Sequence, residues 1–161
     1  EINKSQHEIV DYIIKLQNIN PHSNIISACT DITGFGLLGH LQEMLTATNN
    51  NQTKINLEPI KLILELDKIP VFNGVKELLD KGFESTLSPS NKIFLKNINC
   101  NKNFGIEFRY NEFLYGSSLY NTMLKVLMDP QTCGPLLISC SSIYSEKLIQ
   151  NGPWRKIGFI C

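Results

Sequence analysis

The stretch Cys29-Thr30-Asp31-Ile32-Thr33-Gly34-Phe35-Gly36-Leu37-Leu38-Gly39-His40 constrains this chain more than any other. An apolar run (Ile25, Ile26, Ala28) precedes it and predicts a strand; Leu37, Leu38, Leu41, Met44 and Leu45 follow at helical spacing. The chain must therefore pass from strand to helix through a turn containing Gly34 and Gly36. Glycine lets backbone approach a ligand closely, and a helix starting there aims its unpaired N–H groups and the positive end of its dipole at the same spot. Such a place suits a phosphate. A carboxylate beside it, Asp31, is tolerable when Mg²⁺ lies between the two negative groups, so the local chemistry suggests a metal–phosphate site. On pattern alone Asp31 serves equally as a helix-capping carboxylate.

Gly34-x-Gly36-x-x-Gly39 also fits the dinucleotide fingerprint, with Glu58 about 20 residues downstream near the end of an expected strand over Ile55 to Leu57. Against a dinucleotide-binding domain stand the polar Thr30, Asp31 and Thr33, which crowd a turn that normally follows an apolar strand end. The rest of the chain also lacks strict strand–helix alternation.

A length of 161 residues with 42% hydrophobic content fits one globular domain. Fifteen basic and fifteen acidic residues cancel, and no Lys/Arg cluster marks a nucleic-acid footprint. Small molecules or proteins are the expected partners. No apolar run reaches the length of a membrane span and Glu1 to Ser5 has no signal-peptide shape, so a cytoplasmic protein is expected. The five cysteines (29, 100, 133, 140, 161) show no zinc spacing and read as reduced, mostly buried thiols, with Cys133 set apart in a polar turn.

Along the chain, Ser5-Gln6-His7-Glu8 forms a capping box for a helix over 6–18 that packs on a sheet, with His7 a solvated surface residue. A strand over 24–29, the glycine turn and a helix over 35–48 follow. Asn49 to Gln52 reads as a polar loop and Lys54 to Leu57 as a strand; Ile60 to Leu66 fits either helix or strand, and 67–72 is extended. Asn73 caps a helix to Lys81 that Gly82 ends, and Ser88-Pro89 starts another over 89–97. A loop over 97–103, a strand over 104–110, a helix over 120–128, the turn Asp129-Pro130-Gln131-Thr132-Cys133-Gly134-Pro135, a strand over 136–140, a helix that Ser142 caps and a closing strand over 156–160 complete the inventory. It predicts an α+β fold, a mixed sheet of four or five strands covered by helices. His40 reads as a packed or surface histidine, and Asp129 as a turn aspartate before proline.

Ala28 to Leu41, Asp129-Pro130-Gln131-Thr132, and Gly134 ahead of Leu136-Leu137 resemble the signature segments of the selenophosphate synthetase (selenide, water dikinase) family. Ile69 to Val75, Gly82 and Ser85-Thr86-Leu87 up to Asn91 resemble its middle region in the same order. The resemblance covers nearly the whole chain. It implies the C-terminal half of such an enzyme, an α+β domain like the C-terminal domain of aminoimidazole ribonucleotide synthetase. It also implies ATP and selenide as substrates, Mg²⁺ as cofactor, selenophosphate, AMP and phosphate as products, and the enzyme's N-terminal half as partner, with a homodimer left open. The family's Mg²⁺ ligand maps onto Asp31, and Thr33, Gly34 and Gly36 would line the phosphate approach.

The family's nucleophile, its partner lysine and most of its ATP-binding aspartates belong to the N-terminal half, so no catalytic residue is assigned to this chain and this piece alone is expected not to turn over. None of the five cysteines matches the nucleophile's position. Cys133-Gly134-Pro135 replaces the usual Ser-Gly-Gly, and proline removes a backbone donor there. Leu57 to Leu66 reads as extra sequence relative to the family. The competing functions are a non-catalytic regulatory or protein-binding module that keeps the fold, and a superfamily relative acting on a purine or thiamine precursor, against which the Asp-Pro-Gln-Thr segment argues.

Overall fold

The computed structural model describes residues 6–19, 25–93, 105–110, 117–132 and 134–161. Two compact units emerge, one drawn from residues 1–32 and 133–156, the other from 33–132 and 157–161. In the first, α1 (Gln6–Ile19) precedes β1 (Ile26–Asp31), which pairs antiparallel with β4 (Leu136–Cys140), and α6 (Ser142–Asn151) follows. The ladder sets Asp31 opposite Leu136 and Thr30 opposite Leu137, with a bulge between Ile26 and Ala28. It carries on past Asp31, since the Ile32 N–H donates to the Pro135 carbonyl at 3.0 Å. Gly134 is needed for this approach: a Cβ on it would lie 1.9 Å from the Ile32 oxygen. Helix α1 runs as expected, but none of its described side chains is fully buried, and Val10, Ile14 and Ile19 are exposed. Ser5 of the expected capping box lies outside the described residues.

The second unit holds α2 (Gly36–Lys54), β2 (Leu62–Glu65) with a 3₁₀ turn (Leu66–Lys68), α3 (Val75–Asp80), α4 (residues 88–93), β3 (Ile106–Arg109), α5 (Ser118–Met128) and β5 (Gly158–Ile160). Strand β2 is central, parallel to β3 and antiparallel to β5, so this sheet is mixed while β1–β4 forms a separate antiparallel pair. The α+β class holds, with the strands divided between two sheets. Leu62, Ile63 and Leu64 are all buried because both faces of β2 are covered, and Leu38, Leu41, Leu45, Leu66, Leu79, Met123, Leu127 and Met128 join them in the apolar interior. A segment that reads as extra relative to the family thus supplies the middle strand.

Several expected elements shift, each for a physical reason. Asn49 to Gln52 is helical, because α2 continues to Lys54, and Asn49 faces inward. Its side-chain oxygen accepts from the Ile60 N–H at 2.8 Å and its amide donates to the Ile60 carbonyl at 3.2 Å, giving that residue the two partners a neighbouring strand would supply. Lys54 to Leu57 is the helix end and a turn around Asn56, whose φ is 57°, and Glu58 lies exposed outside any strand. With β1 paired antiparallel to β4, the parallel strand that a dinucleotide fold needs after its glycine turn is absent among the described residues. Gly74, not Asn73, occupies the N-cap of α3, while its other end is as expected: Gly82 (φ +86°) donates to Leu79 O and Phe83 to Leu78 O, the paired bonds of a glycine-terminated helix. Ser141 rather than Ser142 precedes α6. The region 97–103 lies outside the described residues, as does Cys133. Cys29 and Cys161 are exposed and Cys140 half-buried, so the expected burial of the thiols does not hold for these three.

Replacing Asn49 with alanine should remove both bonds to Ile60 and lower unfolding free energy by about 1–2 kcal/mol despite alanine's better helix propensity, read from urea denaturation.

Candidate functional site

The glycine turn, residues 33–36, is built in the second unit, and the Thr33 N–H, the Thr33 and Gly34 carbonyls and the Gly36 N–H are all engaged by protein partners. The Thr33 N–H donates to His40 Nε2 at 3.1 Å, and the Thr33 hydroxyl lies at 3.1 Å from the same nitrogen. The Thr33 carbonyl accepts from the Gly36 N–H at 3.0 Å and from the Gln131 N–H at 3.1 Å. The Gly34 carbonyl accepts from Asn91 Nδ2 at 2.9 Å. His40 is therefore a packed residue, as its sequence setting suggests. Because Nε2 accepts, its proton sits on Nδ1, which faces Glu43 Oε2 at 3.3 Å.

Gly36 and Gly34 are glycines for different reasons. Gly36 has φ +67°, and a Cβ there would stand 2.8 Å from the Leu127 oxygen and 2.9 Å from the Met128 carbonyl carbon. Backbone packed on backbone is what excludes a side chain. Gly34 has no positive φ, and a Cβ on it meets nothing within 4 Å among the described residues, so neither torsion nor packing against them demands glycine there. Helix α2 begins at Gly36 with Phe35 as N-cap and no side-chain cap, leaving its dipole end without a carboxylate or hydroxyl partner from that residue. Phe35 is half exposed.

Where α5 ends, Asp129 is its C-cap and the Asp-Pro-Gln-Thr segment turns back so that Gln131 reaches Thr33. Gln131 Nε2 donates to the Asp129 backbone oxygen at 3.2 Å. Burial pushes the Asp129 carboxyl above its usual range, the charge of Glu84 adds to that, and the Gln131 amide works in the opposite direction. Glu84 itself is held below the usual range, first by its hydrogen bond from Lys92 and further by the charges of Lys92 and Lys125, although its own burial opposes them. Lys125 Nζ lies 3.7 Å from Glu84 and also donates to the Leu79 carbonyl at 2.9 Å.

Asp31 belongs to the first unit, as the last residue of β1 and exposed. The residue in the N-cap position of α2 is Phe35. Cys29 is also exposed on β1, and partial burial, with Asp31 adding, pushes its thiol up, which lowers its thiolate fraction. Among the described residues no three His, Cys, Asp or Glu side chains converge to hold a metal. Of the four residues expected at the site, Thr33, Gly34 and Gly36 share one turn. Sequence reading assigned no role to Asn91 and missed the Glu84–Lys92–Lys125 group, whose members are too far apart in sequence for any periodicity to join them. No described helix is long and apolar enough to cross a membrane.

The family model for AIR synthase related protein, C-terminal domain, matches residues 4–146. Among curated relatives, a selenide, water dikinase of Caldanaerobacter subterraneus subsp. tengcongensis is 33% identical over 123 residues, covering 76% of this chain and 28% of the relative. One from Geobacter metallireducens is 32% identical, covering 76% and 29%, and one from Campylobacter jejuni is 38% identical over 115 residues, covering 71% and 25%. The chain thus spans less than a third of the length of these relatives.

Gly36→Ala should lower stability by about 2–4 kcal/mol from left-handed strain plus overlap, whereas Gly34→Ala should leave the thermal midpoint unchanged; paired melting curves check both. Glu84→Gln should be less stable than wild type at neutral pH. Because the folded Glu84 carboxyl is depressed, its contribution is present above the ordinary carboxylate range and lost as pH falls through the folded value. The gap between the two proteins should therefore close as pH drops below about 4, measured by denaturant titration across pH.

Proposed function

Because the chain belongs to the family of AIR synthase related proteins, C-terminal domain, we propose that it is the C-terminal domain of a selenide, water dikinase and works within a longer polypeptide. The reaction would consume ATP, selenide and water and release selenophosphate, AMP and phosphate. The observation that carries this reading is Gly34: a glycine that the described residues around it do not require, in a turn bonded on its other sides, leading into a helix whose N-cap residue, Phe35, supplies no side-chain cap. Such an edge leaves room for a phosphate group to come within hydrogen-bonding distance of backbone.

Thr33, Gly34 and Gly36 are assigned to the phosphate approach. Asp31 is assigned separately as a Mg²⁺ ligand. An exposed carboxylate at a strand end is a hard oxygen donor suited to that ion, and since no group of three His, Cys, Asp or Glu side chains gathers around a metal position among the described residues, Asp31 fits as one contributor to a shell completed by the N-terminal half. Bound Mg²⁺ would neutralise charge on the phosphate oxygens. The chain's own part is to orient: the turn fixes where a phosphate can rest, and no nucleophile or general base is assigned to it.

Asp31→Ala in the intact protein should reduce selenide-dependent AMP formation by about two orders of magnitude or more, since losing a metal ligand forfeits several kcal/mol of charge stabilisation. Half-saturation for Mg²⁺ should rise in Asp31→Asn. Unchanged turnover and unchanged Mg²⁺ dependence in both variants would remove the metal role and favour a non-catalytic module.

A further inference from the structure

Asn91 lies in α4 with 4% of its surface exposed, and its side-chain amide spends its nitrogen on two carbonyls at once: Gly34 O at 2.9 Å and Met128 O at 2.9 Å. Only a nitrogen with two hydrogens in one plane can do this, which excludes aspartate, serine and every apolar side chain of similar size. The bond to Met128 has an ordinary structural use, since the last carbonyls of a helix lack intrahelical partners. The bond to Gly34 has no such use. It joins residues far apart in sequence and ends on the one turn residue whose glycine the described residues do not otherwise require.

Around it, the Thr33 N–H is held by His40, and the Thr33 carbonyl by Gly36 and Gln131. The peptide between Gly34 and Phe35 carries the oxygen that Asn91 holds, and glycine gives its preceding torsions the widest range. Fixing the Gly34 oxygen fixes that whole plane, because the peptide unit is rigid. We propose that Asn91 is a positioning residue: it locks the Gly34–Phe35 peptide so that the turn presents a preformed edge to the phosphate chain of a nucleotide. This rests on the phosphate-binding reading above and adds to it a residue that touches no substrate and acts through the turn.

The test uses the intact protein as wild type, Asn91→Asp and Asn91→Ser, the serine variant keeping one donor should the aspartate variant fail to fold. Thermal unfolding establishes that a variant is folded at the assay temperature. Amide hydrogen exchange is then read at Gly36 and Gln131, which both donate to Thr33 O, with Leu64 in β2 as the internal control. Steady-state kinetics separate kcat and the KM for Mg-ATP from the KM for selenide. Exchange at Gly36 should accelerate about 10-fold or more with Leu64 unchanged, and kcat/KM for Mg-ATP should fall by about 10-fold to 100-fold while the selenide KM stays within about twofold. Folded variants with wild-type kinetics overturn the assignment, and so does a loss of activity with Gly36 exchange unaltered. Wild-type protein that shows no selenide-dependent ATP turnover defeats the functional reading instead, which keeps the two failures apart.

Discussion

In the second unit the backbone of Gly36 lies directly against the last turn of α5, with no room between them for even one methyl group. Contact between two main chains fixes position more tightly than side-chain packing, because neither surface has rotamers with which to adjust. It sets the start of α2 beside the end of α5. Given that, Gln131 can close on Thr33, and Asn91 can span from Gly34 to Met128. Each of these bonds is worth about 1 kcal/mol net by itself. Their combined effect is geometric, leaving the turn a single shape.

Several polar groups around this contact match backbone donors or acceptors that would otherwise be left over, while the Gln42 side-chain oxygen on α2 is buried without a partner among the described residues. Asn91 and Asn49 both use short amides to complete backbone groups that no helix or strand reaches. Glu84 draws Lys92 and Lys125 toward it, and the same carboxylate raises the cost of ionising Asp129. The Thr122 hydroxyl, with one proton to give, lies within hydrogen-bond reach of both the Asp80 carboxylate and the Ser118 carbonyl, tying α5 to the end of α3. The apolar interior supplies most of the favourable free energy, and these polar ties select one arrangement of the elements that enclose it.

Much of this was legible in the residues. The helix after Gly36, the glycine stop at Gly82, the strand over 136–140 and the α+β class all follow from local signals, because capping chemistry and periodicity act within a few residues. The elements that sequence misassigned depend on distant partners. Asn49 to Gln52 has loop composition, yet the bonds from Asn49 to Ile60 make helix the better state. Ile60 to Leu66 fits either helix or strand by sequence, because β2 inside it (Leu62–Glu65) is covered on both faces and leaves no alternation to detect. Among the candidate residues, Thr33, Gly34, Gly36 and Asp31 stand out through their motif. Asn91 had no such prominence, since a buried asparagine and an exposed one look alike in a sequence, and only the fold brings it to Gly34.

Strand order carries a further consequence for how such a chain is made. β2 is the middle strand of its sheet, yet β5, one of its two neighbours, lies far downstream in the sequence, with Lys61 and Cys161 exchanging backbone bonds at the sheet's end. During vectorial synthesis, α2 and β2 emerge from the ribosome long before the segment that covers this edge. Until then one side of β2, flanked by Leu62, Ile63 and Leu64, is an open template for pairing with another nascent chain. Closure by a short, distant strand is entropically slow, so the rate at which the ribosome delivers Gly158 to Ile160, and any chaperone that shields β2 in the interval, would govern the yield of folded protein.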